Sequence, residues 1–119
     1  MIDWDRVNEL RDEVGEEEFE PVLELFIDEV EHLVMQLSLD DSAQLERFMH
    51  FLKGSAWNLG FADFGARCGE IEALAAAGDL AGVSLEDLVA CYSSSKRIFH
   101  QDLSRRTGHG GQRAGVEVA

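Results

Sequence analysis

EEFEPVLELFIDEVEHLVMQL, residues 17–37, carries apolar side chains at Phe19, Val22, Leu23, Phe26, Ile27, Val30, Leu33, Val34 and Leu37. Steps of three and four residues mark one face of an α-helix, not the alternation of a strand. This is the longest regular helical pattern in the chain, and it sets the reading of what lies on either side. Pro21 is expected near the first turn, where a missing N–H costs little. Glu16, Glu17 and Glu18 suit the positive end of the helix dipole.

Upstream, a short helix is expected from about Asp3 to Val14, with Asp3 as its cap and Ile2 and Val7 at the spacing of a hydrophobic staple. Downstream, Asp41 and Gln44 form a capping-box pattern that opens a third helix, which ends near Gly60. Its inward stripe reads Leu45, Phe48, Leu52, Ala56 and Leu59. A fourth helix runs from about Phe61 to Ala77 with Phe64, Cys68, Ile71 and Ala75 inward, and stops at Gly78. Ser84, with Asp87 three residues on, starts a fifth whose stripe is Leu85, Leu88, Val89, Tyr92, Phe99 and Leu103. From Arg106 to Ala119 the chain is Gly-rich without apolar period, and this tail is expected to be disordered. Residues 1–105 then form one all-α domain, an antiparallel four-helix bundle with the short N-terminal helix packed over one end.

Composition excludes several functions. At 119 residues the chain suits one domain, and a net charge of −14 argues against nucleic acid or an anionic membrane as partner. No apolar run is long enough to span a bilayer and no signal peptide is visible, so a soluble, cytoplasmic protein is expected; it is taken to be a monomer. Cys68 and Cys91 lack metal-ligand spacing; no metal site and no bound cofactor are expected. The charge is uneven. Residues 1–40 hold 14 acidic and 2 basic side chains, a net of −12, whereas residues 46–67 carry a net of +1.

Within that least acidic stretch lies HFLKGSAWNLG, residues 50–60. At a helical turn of about 100° per residue, His50 points roughly 160° away from the centre of the apolar stripe. Lys53, Gly54 and Trp57 share its outward face, with Phe51 at the edge. An imidazole is nucleophilic near neutral pH, and a ring nitrogen can accept a phosphoryl group. Phosphoryl transfer then asks for in-line approach and positive charge near the phosphoryl oxygens, which Lys53 could supply. Glycine inside a helix costs about 1 kcal/mol relative to alanine, so Gly54 reads as clearance for an approaching partner. Each residue also has a plain reading: an inert surface histidine, a solvated lysine, a packing glycine, a tryptophan over the core edge. Their joint placement on one face favours a site.

The segment resembles the signature of histidine-containing phosphotransfer (HPt) domains, H-x-L-K-G-S-x-x-x-L-G, matched at His50, Leu52, Lys53, Gly54, Ser55, Leu59 and Gly60. CGEIE at 68–72 is similar to the family's C-x-x-L-E element, with Ile71 in place of leucine, and Phe64 stands where leucine is usual. The resemblance implies a four-helix bundle whose exposed histidine takes phosphate from the aspartate of one response-regulator receiver domain and passes it to another. By that resemblance His50 is the phosphoacceptor, Lys53 the phosphate-facing cation and Gly54 the clearance residue. Arg47, Phe51 and Trp57 are the expected partner contacts. Receivers, including one carried by a hybrid histidine kinase, are the implied partners, with the magnesium for transfer held by the receiver.

Three rival readings fit less well. The phosphoacceptor helix pair of a histidine kinase follows its histidine with an acidic residue and Leu-Arg-x-Pro, and this chain has no ATP-binding region. A helical adaptor that binds a signalling partner without phosphotransfer would not be expected to keep His50, Lys53 and Gly54 together. A hydrolase would need a general base and a pocket-forming loop beside the histidine.

Overall fold

The computed structural model describes the backbone of residues 2–111 and side chains as far as residue 104. It contains α1 (Trp4–Val14), α2 (Glu16–Val34), α3 (Ser42–Leu59), α4 (Ala62–Ala76) and α5 (Leu85–Gly111). The three expected N-caps are made. Asp3 Oδ1 accepts the Arg6 N–H at 3.2 Å, Asp41 Oδ1 the Gln44 N–H at 3.1 Å, and Ser84 Oγ the Asp87 N–H at 3.1 Å. Each satisfies a backbone donor that the first helical turn leaves without a partner.

α2 to α5 form the bundle, and a polar contact closes it between α2 and α5. Tyr92 donates its hydroxyl hydrogen to Glu31 at 2.9 Å, and the Lys96 ammonium pairs with the same carboxylate. The core is apolar from end to end: Leu23, Ile27 and Val30 of α2 meet Met49, Leu52 and Ala56 of α3, Phe64, Cys68 and Ile71 of α4, and Leu88, Tyr92 and Phe99 of α5. Burial pushes the Cys68 thiol up to about 12, with the neighbouring Cys91 and Glu72 adding to the effect, so it packs as an apolar group and is no nucleophile.

The α3–α4 turn decides where the N-terminal helix sits. Gly60 ends α3 in the left-handed region at φ +78°, and the Phe61 N–H returns to the Ala56 carbonyl at 2.8 Å, a Schellman arrangement. The Gly60 carbonyl then accepts the Asp3 N–H at 2.7 Å, and Ile2 bridges to Phe61. α1 is thus tethered at its first residues. Val7 and Leu10 point into the core, Trp4 stacks on Phe99 at 5.7 Å, and Arg6 donates to Asn58 at 3.2 Å. This is the helix over one end that the pattern predicts.

Four details differ from the sequence reading. Pro21 is the sixth residue of α2, because the helix begins at Glu16; it and Glu17 are exposed, so water can serve the Glu17 carbonyl that lacks an N–H partner. In α3, Met49 is fully buried where Phe48 was expected, and Phe48 is only half-buried. In α5, Val89 is exposed and Ser95 is fully buried. A serine is small enough to be enclosed there, and its hydroxyl is not left without a partner. Finally, α5 continues through residues 106–111, beyond the domain boundary expected at 105, since each residue added to an existing helix closes one more hydrogen bond. The rest of the expected disordered tail, 112–119, lies outside the described residues. Among the described residues no helix is long and apolar enough to cross a membrane.

Candidate functional site

The direction of His50 follows from what α3 buries. Met49 and Leu52 are inside, so the intervening and following outward positions are 50, 54 and 57. The His50 side chain is 72% exposed, and Trp57, two turns further along the same face, is 67% exposed. A methyl group placed on Gly54 would meet nothing within 4 Å. Nothing in the fold itself therefore calls for a glycine there.

Arg47 and Phe51 are also exposed. Phe51 leans to the α2 side, where with Asp28, Glu29, His32 and Leu33 it lines a shallow groove of about 420 Å³. Of the six residues singled out by sequence, Arg47, His50, Phe51, Gly54 and Trp57 lie on one outer strip of α3. Lys53 turns towards α4. The larger groove between α4 and α5, about 780 Å³ and lined by Asp63, Arg67, Glu70, Asp87 and Cys91 among others, does not include His50. The imidazole stands on open surface.

On the α4 side the sequence reading missed the central group. Glu72 holds its Oε2 2.8 Å from His50 Nδ1 and its Oε1 2.7 Å from Lys53 Nζ. Its side chain is only 19% exposed, against 45% for Lys53. Cys68, Ile71 and Ala75 are the buried stripe of α4, so Glu72 emerges at the edge of that stripe, facing α3. Lys53, expected as the phosphate-facing cation, has its ammonium engaged with Glu72 and reaches the histidine through that shared carboxylate. The C-x-x-L-E likeness contained Glu72 but gave it no role.

The electrostatics favour one direction for the hydrogen bond between His50 and Glu72. The Lys53 ammonium, and after it the His50 ring, hold the Glu72 carboxyl below the usual carboxylate range, against partial burial that pulls the other way. An ionised carboxylate only accepts hydrogen bonds. The 2.8 Å contact is then made by the neutral tautomer that carries its proton on Nδ1, in which the lone pair is on Nε2 and points away from Glu72.

The same depression has a consequence in acid. A carboxyl whose folded value lies below its unfolded value stabilises the fold above the ordinary carboxylate range, and that contribution disappears as pH falls through the lowered value. Glu31, lowered first by Lys96 and also by Tyr92, acts in the same sense. Unfolding free energy measured from pH 7 down to pH 3 is expected to fall more steeply in the native chain than in Glu72→Gln. Parallel curves would show that the Glu72 pairings add nothing to stability.

Among the described residues no cluster of His, Cys, Asp and Glu could hold a metal ion. A family model described as the Hpt domain matches residues 21–98, which cover α2 from Pro21 on, all of α3 and α4, and α5 as far as Ile98. No curated protein and no solved structure matches the chain.

Proposed function

The chain belongs to the Hpt domain family, the histidine phosphotransfer modules of two-component signalling, and from that we propose that it is a phosphorelay intermediate with His50 as acceptor. Modules of this family carry phosphoryl groups, interact with response-regulator receiver domains, and are not autokinases. The observation that carries the assignment of His50 is its geometry: an imidazole 72% exposed whose Nδ1 lies 2.8 Å from the Glu72 carboxylate, one turn before a glycine where an added methyl would meet nothing within 4 Å.

In this reading His50 Nε2 attacks the phosphorus of a receiver's aspartyl phosphate. The bond from phosphorus to the aspartate oxygen breaks, the carboxylate leaves, and a phosphoimidazole forms. Nδ1 keeps its proton throughout, so the ring gains positive charge, and Glu72 lies 2.8 Å away to stabilise it. Transfer onward to a second receiver reverses these steps. Lys53 keeps Glu72 ionised and can turn towards the phosphoryl oxygens once they arrive, as its stem has the rotatable bonds to do so. Arg47, Phe51 and Trp57 supply charge and apolar area for the receiver, which would itself hold the magnesium. We take the domain to act as a cytoplasmic monomer and leave the hybrid kinase as one candidate source of the donor receiver.

The test is to add the domain to phosphorylated receivers from the same cell and time the loss of label. Label should move to the domain as an acid-labile, base-stable phosphoramidate. Label that stays on every receiver would overturn the reading.

Gly54 gives a second check. Gly54→Ala is expected to raise stability by up to about 1 kcal/mol, through helix propensity and a less flexible unfolded chain, because the added methyl meets open space. Gly54→Gln should keep the fold yet obstruct a receiver, while small phosphodonors, needing less room, still label His50. Thermal melts and labelling by both kinds of donor read this out. A large loss of melting temperature in Gly54→Ala, or undiminished receiver transfer in Gly54→Gln, would remove the clearance role.

A further inference from the structure

Gly69 stands in the middle of α4, one turn before Glu72, in ordinary helical conformation rather than at a turn. Glycine is a poor choice for a helix interior, so its presence asks for a cause. Gly65, one turn earlier, has one in the packing of the helices: a methyl there would come 3.3 Å from the Ala56 methyl and 3.9 Å from the Lys53 carbonyl. At Gly69 the neighbour is of another kind. The one heavy atom within 4 Å of an added methyl is Lys53 Cδ, at 3.4 Å.

We propose that Gly69 is a positioning residue: its bare backbone is the seat on which the Lys53 stem lies across α4, so that the ammonium reaches Glu72 and Glu72 presents its other oxygen to His50. The stem of a lysine readily covers apolar surface while its head stays with a polar partner. From Lys53 Cδ the chain continues to Nζ, which is 2.7 Å from Glu72 Oε1, and the second carboxylate oxygen is 2.8 Å from His50 Nδ1. A methyl at 69 would only touch the stem, at 3.4 Å, but the further methyl groups of a branched side chain would run into it, and the lysine, being flexible, would yield before the helices did. It would lift away from α4 and carry its ammonium off Glu72. Glycine at 69 therefore acts on the imidazole at two removes, through Lys53 and then Glu72.

The bearing of this on transfer rests on His50 being the acceptor, but the positioning itself is measurable in the unphosphorylated domain. The experiment follows the Glu72 side-chain carboxyl carbon by NMR across an acid titration in the native chain, Gly69→Ala, Gly69→Val, Lys53→Ala and Lys53→Ala/Gly69→Val. Gly69→Val is expected to move the Glu72 midpoint upward, in the same direction as Lys53→Ala and by no more. Gly69→Ala should leave it close to the native value, because its methyl only touches the stem, with a melting temperature no lower than that of the native chain. In the double variant the valine should add nothing to the effect of Lys53→Ala, since the residue through which it acts is gone. An unchanged midpoint in folded Gly69→Val, or a valine effect that persists without Lys53, would overturn the proposal. Should the valine variant fail to fold, Gly69→Leu, a better helix former of similar bulk, takes its place, and an unchanged midpoint there overturns it alone. A domain that takes no label from any receiver would sink the phosphorelay reading and leave this titration result standing.

Discussion

His50→Gln is expected to reduce phosphoryl transfer from a phosphorylated receiver to background while leaving the bundle folded. The imidazole is mostly in solvent, so its removal opens no cavity, and exposed positions of this kind usually shift stability by no more than about 0.5 kcal/mol. Glutamine can still offer an N–H towards Glu72, yet its amide nitrogen has no lone pair available to attack phosphorus. The whole effect should therefore fall on chemistry. The variant keeps His32, His100 and His109, none of which is followed by the Lys-Gly pair. Label at the native level in His50→Gln would show that one of those three is the acceptor. Matched thermal melts exclude loss of fold as the cause.

The largest effect on stability is expected at Gly60, which serves the α3–α4 turn and the anchorage of α1 at once. An L-residue in the left-handed region costs about 1–2 kcal/mol. At Gly60 a methyl would also stand 2.6 Å from the Asp3 carbonyl oxygen and 2.9 Å from a Val7 methyl, so α1 must shift. Overpacking of that kind typically costs about 1–3 kcal/mol. Gly60→Ala is thus expected to lose about 2–5 kcal/mol in total, a fall in melting temperature of roughly 10 °C or more for a domain of this size. Gly78→Ala is the control: its φ is also positive, at +72°, but an added methyl meets nothing within 4 Å. It should lose the backbone part alone. Equal losses in the two variants would show that α1 is not held by the contact at Gly60.

Much of the domain is legible in its residues. The helix starts at Asp3, Asp41 and Ser84 follow from side chains that accept a backbone N–H three residues on, a strictly local interaction. The stop at Gly60 follows from a left-handed cap that glycine adopts without strain. Errors of burial arose where polarity was used as a proxy for fit. Val89 is apolar but stands at the α2–α5 groove beside Met35, while Ser95 is polar but small, and is buried. Phe48 and Met49 adjoin in sequence, and periodicity alone places the stripe within about one residue. Which of the two is fully enclosed depends on the neighbouring helices.

The sequence by itself determined that the chain is helical, where the caps lie, and that His50, Gly54 and Trp57 point to solvent, because a helix of 3.6 residues per turn gives every side chain a direction on its own helix. Only the tertiary structure decided what stands opposite. In an antiparallel helix pair, facing residues have numbers of nearly constant total, and here it is 122 for His50 with Glu72 and for Lys53 with Gly69, and 121 for Ala56 with Gly65. A fold at Gly60–Phe61 hints at that register, but not at how closely the helices approach or how far each side chain reaches. Those depend on Gly65 admitting Ala56, and on the stem of Lys53 lying along Gly69. The partner of His50 Nδ1, on which the proposed attack through Nε2 depends, is a carboxylate 22 residues away in sequence, placed there by packing between helices that no local pattern encodes.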